Sequence, residues 1–290
     1  MRFWLLSIFI VFCVLFLHTN CTQQHNESKP VVFVSDIPNT LPLIKNDTVL
    51  SFWSGVKKID ISIILPETEF RGTILALPGW NYPSSHWIDS TRLKEKANRE
   101  GYILILPNME KSIYSAGVYP ETRKDWQGEV TRTWFTDSVI HTLQKDLKIL
   151  LPAQKTFILG LSTGGRGALL LAINNPNTFD AGASLSGDFD PSCFPENNLY
   201  RGFFGEYKDF KNRWEESENP LSKIEQLNTP FYIGHGLKDK IVSIKHSELF
   251  YDALGDQQRN SIFHIDSTTE HNYEYWDSEI DAVIDFFKSK

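Results

Sequence analysis

Apolar residues recur along the chain in two rhythms. Short apolar or alternating runs at 49–53, 58–65, 72–77 and 102–106 predict strands, and spaced apolar positions at 86–99, 131–150 and 165–174 predict helices. The second half continues with strands at 181–185, 231–234 and 261–265 and helices at 244–254 and 276–287. Early strands in succession, then strands alternating with helices, imply a mostly parallel sheet covered on both faces, an α/β architecture. Two stretches exceed what simple connections need: 108–129, with Tyr114, Tyr119 and Trp126, and 188–221, with Phe194, Tyr200, Phe203, Phe204 and Trp214. Both leave C-terminal ends of predicted strands, where long loops are commonly functional. Their aromatics fit either a cleft that stacks apolar, sugar or aryl groups or a satellite core under a lid.

The start of the chain breaks this pattern. Met1-Arg2 precedes an apolar run over 3–17. That run is shorter than the about 20 residues of a membrane span, so 1–21 reads as an export signal. Cys21 follows, then the polar Thr22-Gln23-Gln24-His25-Asn26, as in a bacterial lipoprotein signal whose cysteine becomes lipidated. The preceding His18-Thr19-Asn20 lacks the usual leucine and small residues, and soluble secretion or an uncleaved anchor are the alternatives. Residues 22–47 are polar, with Pro30, Pro38 and Pro42, and read as a tether. Residues 48–290 then form one domain, anchored in the cell envelope or released beyond it.

One predicted strand–helix junction carries chemistry. The apolar run Thr156-Phe157-Ile158-Leu159 leads into Gly160-Leu161-Ser162-Thr163-Gly164, and a glycine- and alanine-rich helix follows. This is a nucleophile elbow: a serine raised on a sharp turn, with glycines on either side so that nothing blocks the bend. A serine hydroxyl is a weak nucleophile and needs a base within reach and a helix N-terminus that favours developing negative charge. Downstream, the Pro-started run at 229–234 enters a loop with Asp239, and the strand at 261–265 enters a loop with His271. Loops at the C-terminal ends of parallel strands converge on one sheet edge. Ser162, Asp239 and His271 are therefore the candidate nucleophile, acid and base. Asp188 and Asp190 compete with Asp239 for the acid role, because some folds of this kind place the acid after the preceding strand. His264 lies inside a strand, and His235 beside the acid loop reads as a structural hydrogen-bonder. Backbone N–H groups of Thr163 and of Trp80, with Asn81 second, are the candidate oxyanion donors. Trp126 and Asp188 are candidate substrate-binding residues. Arg166, in the first turn of the elbow helix, either recognises a substrate carboxylate or is held by a structural ion pair.

Several separate motifs now occur in a fixed order: Gly160-Leu-Ser-Thr-Gly-Gly-Arg-Gly-Ala168, Asn175-Pro-Asn-Thr-Phe-Asp180, Ser184-Leu-Ser-Gly-Asp188, His235-Gly-Leu-Lys-Asp239 and His271-Asn-Tyr-Glu-Tyr-Trp276. On these residues the chain, over about 48–290, resembles the esterase D-type group of α/β-hydrolases, which includes feruloyl esterases, S-formylglutathione hydrolases and mycolyltransferases. It departs from many of them in the loop after the third strand, where Leu77-Pro78-Gly79-Trp80 stands in place of a His-Gly pair. The resemblance implies the α/β-hydrolase fold and a serine carboxylesterase acting on a small-molecule or glycan-linked acyl ester. Acyl transfer or peptide cleavage by the same triad, or a catalytically silent surface-binding protein, are the competing readings.

Composition narrows the rest. The chain has 290 residues, 41% hydrophobic and 22% charged, as in an ordinary globular domain. A net charge of −7 without a basic stripe argues against a nucleic-acid partner. With Cys13 in the signal and Cys21 beside it, Cys193 is the only cysteine of the domain, so no intradomain disulfide can form. Lacking an elbow, Cys193 reads as an inert thiol. No His-Glu-x-x-His, Cys-x-x-Cys or Gly-rich phosphate loop is present, so neither metal nor cofactor is expected.

Overall fold

A tight hairpin at Gly55, whose φ of 59° suits a residue without a side chain, joins the first two strands, β1 (Thr48–Ser54) and β2 (Lys57–Ile64). The computed structural model describes residues 42–290, so the predicted signal, Cys21 and most of the tether lie outside the described residues. The remaining strands are β3 (Gly72–Leu77), β4 (Tyr102–Pro107), β5 (Thr156–Leu161), β6 (Ala181–Leu185), β7 (Phe231–Gly236) and β8 (Ile262–Asp266). They form an eight-stranded sheet in the order β1-β2-β4-β3-β5-β6-β7-β8. β2 runs antiparallel to both neighbours, and every pair from β4–β3 to β7–β8 is parallel. β3, β4 and β5 are buried along their whole length, which explains their unbroken apolar runs.

The central strands β3, β4 and β5 feed two cores, because successive side chains point to opposite faces. Leu75, Leu77, Ile105 and Ile158 pack with Leu169, Leu170 and Phe135 on one face. Ile74, Ala76, Leu104 and Phe157 pack with Ala97, Val283 and Phe287 on the other, where Phe157 and Phe287 stack at 4.6 Å.

Helix boundaries depart from the periodicity at three places. The stretch 86–99 is interrupted into His86–Asp89 and Leu93–Glu100, because the Thr91 hydroxyl bonds the Trp87 carbonyl at 2.5 Å and accepts from the Leu93 N–H at 3.2 Å. The stretch 131–150 is helical only from Arg132 to Lys145, with one wide turn in which the His141 N–H reaches Thr136 O. Beyond it the chain turns at Lys148 and Leu150, both with positive φ, and the side-chain amides of Gln154 and Gln144 take up their carbonyls. At the end of the chain the apolar stretch divides into Tyr273–Ser278 and Ile280–Lys288.

The two long segments meet in a third cluster of Ile113, Trp126, Tyr200, Phe203, Phe204 and Trp214. They are also tied by charge. Glu218 accepts from Arg132 Nη1 at 2.8 Å, from Tyr119 OH at 2.5 Å and from the Ala116 N–H at 2.9 Å. Arg166, fully buried, donates to the backbone carbonyls of Glu218 and Ile113 and lies 3.9 Å from the Glu218 carboxylate. The cation in the first turn of the elbow helix is therefore offset by a buried anion, which leaves it unavailable to a substrate. Among the described residues no helix is long and apolar enough to cross a membrane.

Candidate active site

β5 ends at Leu161, the helix Thr163–Asn174 begins at once, and Ser162 between them takes φ 53° and ψ −127°. A non-glycine residue there is strained, and the surroundings hold it. The Ser162 N–H donates to Leu185 O at 2.9 Å, and Ser162 O accepts from the Gly165 N–H at 2.8 Å. The flanking glycines are steric requirements. A Cβ on Gly160 would collide with the Gly164 carbonyl, and one on Gly164 would strike the carbonyl oxygens of Leu77 and Pro78.

The loop after β7 is shaped by Asp239 itself. Its Oδ1 accepts the N–H groups of Ile241 and Val242, each at 2.8 Å. The Lys238 N–H donates to Thr269 O at 3.0 Å, tying this loop to the one after β8. Asn272 caps the helix Tyr273–Ser278 through the Tyr275 N–H and so fixes the chain beside His271. His271 then bridges: Nδ1 lies 2.6 Å from Asp239 Oδ2, and Nε2 lies 3.0 Å from Ser162 Oγ. Trp276 packs edge-on against the imidazole at 5.0 Å and donates to Ser186 Oγ. Burial raises the Asp239 pKa, but hydrogen bonds from His235, His271 and the Val242 N–H outweigh it and hold the carboxyl far below the usual range. An ionised Asp239 places the His271 proton on Nδ1, so that Nε2 accepts from the serine hydroxyl.

The rival residues lie elsewhere in the network. Asp188 Oδ2 accepts from Tyr200 OH at 2.6 Å, and Asp190 Oδ1 caps its own loop through the Ser192 N–H and Asn219 Nδ2. His264 pairs with Glu279 at 2.9 Å. His235, fully buried, bonds Ser247 Oγ at 2.7 Å and Val242 O at 3.0 Å, as a structural residue would.

Thr163 opens its helix, so its N–H is among the first-turn donors without an intrahelical acceptor. In the loop after β3, the Asn81 N–H is bound to Glu110 O at 2.6 Å, whereas the Trp80 N–H has no acceptor among the described residues. The Tyr114 hydroxyl braces that loop by donating to Pro78 O at 3.0 Å.

Ser162 opens into a cleft of about 460 Å³, whose walls include Trp80, Asp188, Leu199, Ile241, His246 and His271. Trp126 is not in the wall. It is 6% exposed, stacks on Phe203 at 4.8 Å and meets the edge of Trp80 at 5.6 Å, so it backs the residue that lines the cleft. His246, by contrast, gave no signal in the sequence, because it sits inside an ordinary amphipathic helix, Lys245–Ala253. Its Nδ1 accepts the N–H groups of Phe189 and Asp190, each at 3.1 Å, and burial pushes its pKa down to about 3. Among the described residues no cluster of His, Cys, Asp or Glu could hold a metal ion.

An eight-stranded sheet in this order, with a serine on an elbow after β5, defines an α/β-hydrolase. Residues 138–290 match the model of the prolyl oligopeptidase family, and the chain belongs to that family, as a serine hydrolase or esterase of the α/β-hydrolase type. It is 26% identical over 235 residues to a diacylglycerol acyltransferase/mycolyltransferase of Mycolicibacterium smegmatis, covering 68% of this chain and 70% of the relative. It is 24% identical over 232 residues to an acetyl esterase of Caldicellulosiruptor saccharolyticus, covering 74% and 82%. An S-formylglutathione hydrolase from Agrobacterium tumefaciens shares the fold with a TM-score of 0.67 at 14% identity, over 86% of this chain and 98% of that one. These likenesses fit the esterase D-type group.

Proposed function

We propose that the chain is a serine carboxylesterase working through an acyl-enzyme. One observation carries the reading: an unbroken hydrogen-bonded line from Asp239 through His271 to Ser162, ending in an open cleft. Ser162 Oγ attacks the ester carbonyl carbon while its proton passes to His271 Nε2. Negative charge gathers on the carbonyl oxygen, where the N–H groups of Thr163 and Trp80 receive it; one such donor is worth about 10²–10³ in turnover. The intermediate collapses, the C–O bond breaks, and the leaving alcohol takes the proton from His271. Water then repeats the sequence on the acyl-enzyme and releases the acid. A fluorophosphonate probe should label the protein, Ser162→Ala should abolish labelling, and p-nitrophenyl esters of graded chain length should be hydrolysed. Labelling that persists at another serine in Ser162→Ala overturns the assignment.

Acyl transfer is the second reading, favoured by the M. smegmatis relative, which is named an acyltransferase. The chemistry differs only in whether water or an alcohol attacks the acyl-enzyme, so product partition in added glycerol separates the two. Family membership also brings in peptide cleavage, which p-nitroanilide substrates test. We further infer that the enzyme is exported and held to the cell envelope by lipid on Cys21.

A further inference from the structure

A carboxylate stands in the cleft wall with half of its hydrogen bonding unmet. Asp188, 5% exposed, uses Oδ2 to accept from Tyr200 OH at 2.6 Å, but its buried Oδ1 meets no partner among the described residues. His246 lines the same cleft. Its Nδ1 is occupied by two backbone N–H groups, which leaves the ring proton on Nε2, and that nitrogen has no partner among the described residues. Phe194 stacks on the ring at 4.1 Å and holds its plane. Asp188 precedes Phe189 and Asp190, whose N–H groups hold the imidazole, so the unmet acceptor and the unmet donor belong to one stretch of wall.

The unmet acceptor calls for a donor and does not call for a countercharge. Buried Arg132 and Arg166 stand against buried Glu218 and Asp188, and Arg166 acts electrostatically on Asp188 as well as lying near Glu218. Arg166 offsets part of the charge on Asp188, and the Tyr200 hydroxyl already serves its other oxygen, so a neutral donor meets Oδ1 without carrying a further charge out of water. A hydroxyl suits either group, because it can donate to Asp188 Oδ1 or accept from His246 Nε2–H. An unmade hydrogen bond of a buried group is costly, and a ligand that makes it recovers that cost.

We propose that Asp188 and His246 form a recognition site for a substrate hydroxyl, so that this cleft selects neutral, hydroxylated esters over their deoxy counterparts. The inference rests on the esterase reading of the same cleft. The hydroxyl belongs either to the acyl group or to the alcohol, and matched pairs distinguish them. One arm compares p-nitrophenyl 3-hydroxybutyrate with p-nitrophenyl butyrate; the other compares O-acetyl glucopyranoside with cyclohexyl acetate. One arm should favour the hydroxylated ester by at least about tenfold in kcat/KM, the scale of one hydrogen bond to a charged group. Asp188→Asn should lower that ratio several-fold, and the apolar pair Asp188→Leu with Tyr200→Phe should lower it further, leaving only the share due to His246. Should the double variant not fold, the wild-type ratios and Asp188→Asn still decide. Calorimetric binding of the same esters to Ser162→Ala reads the preference without any turnover, so it stands even if the esterase reading fails. Equal affinity and equal kcat/KM in both arms, with Ser162 still labelled by fluorophosphonate, overturn the inference and leave the esterase reading in place. A stronger preference for p-nitrophenyl 3-aminobutyrate overturns it as well.

Discussion

His235 Nε2 lies 3.4 Å from the same Asp239 oxygen that His271 Nδ1 engages at 2.6 Å. The sharing is unequal, because His235 has the Val242 carbonyl at 3.0 Å and Ser247 on its other nitrogen. Its ring pins the turn that carries the acid, while His271 takes the shorter bond. The acid loop thus comes to the serine already shaped.

In that arrangement Asp239, and not Asp188, is the residue whose loss should disorient the imidazole. Asp239→Asn should lower turnover by about 10³–10⁴ with folding intact, as loss of a triad acid does. Asp188→Asn should act mainly on KM. Steady-state kinetics of both variants check this, and a large turnover loss at Asp188 with near-normal Asp239→Asn would reverse the roles.

Gly164 at the elbow predicts a steric penalty on substitution, and Gly117 in the loop after β4 predicts none. Gly164→Ala drives a methyl into two backbone carbonyls that cannot move aside, and should cost about 1–3 kcal/mol or prevent soluble expression. Gly117→Ala, with open space around it, should stay within about 0.5 kcal/mol of wild type. Denaturant unfolding measures both; equal effects would contradict the packing at the elbow.

His246 predicts part of the acid sensitivity. Burial lowers its pKa to about 3 from an ordinary 6.5, so it binds its proton more readily in the unfolded chain than in the folded one. Its stabilisation is complete above pH 6.5 and is lost as pH falls from 6.5 toward 3. His246→Asn keeps an acceptor near the Phe189 and Asp190 N–H groups and removes the titration. Its melting temperature should therefore fall less steeply over that window than that of the wild type. Parallel slopes in differential scanning calorimetry would count against the buried neutral imidazole.

The N-terminal expectation concerns chemistry outside the described residues. Intact-mass analysis of a membrane fraction should find a mature chain that starts at Cys21 with a diacyl or triacyl addition. A mature chain that starts elsewhere and carries no lipid would refute the anchor.

Much of this was legible in the sequence because the relevant signals are local. Largely apolar strands such as β3 and β5 announce burial on both faces, and the spacing of Gly160, Ser162 and Gly164 follows from which backbone atoms would collide there. The order of Ser162, Asp239 and His271 survives because each lies just beyond its strand. Most of what escaped was non-local, with one local exception. Thr91 ends a helical turn through a hydroxyl that a periodic pattern ignores. Trp126 stands behind Trp80 because of Phe203, far along the chain. His246 stands out only because the backbone after β6 donates to its Nδ1, and nothing near position 246 says so.

Glu218 comes from the segment after β6, Arg132 follows the segment after β4, and Arg166 rides on the helix that begins beside Ser162. Swinging this roof away from the serine would strip ion partners from one another inside the protein, at a cost of several kcal/mol. The ion-paired segments beside Ser162 are therefore costly to move. A substrate of Ser162 should then enter and leave through a standing doorway, whose width should set which molecules are admitted.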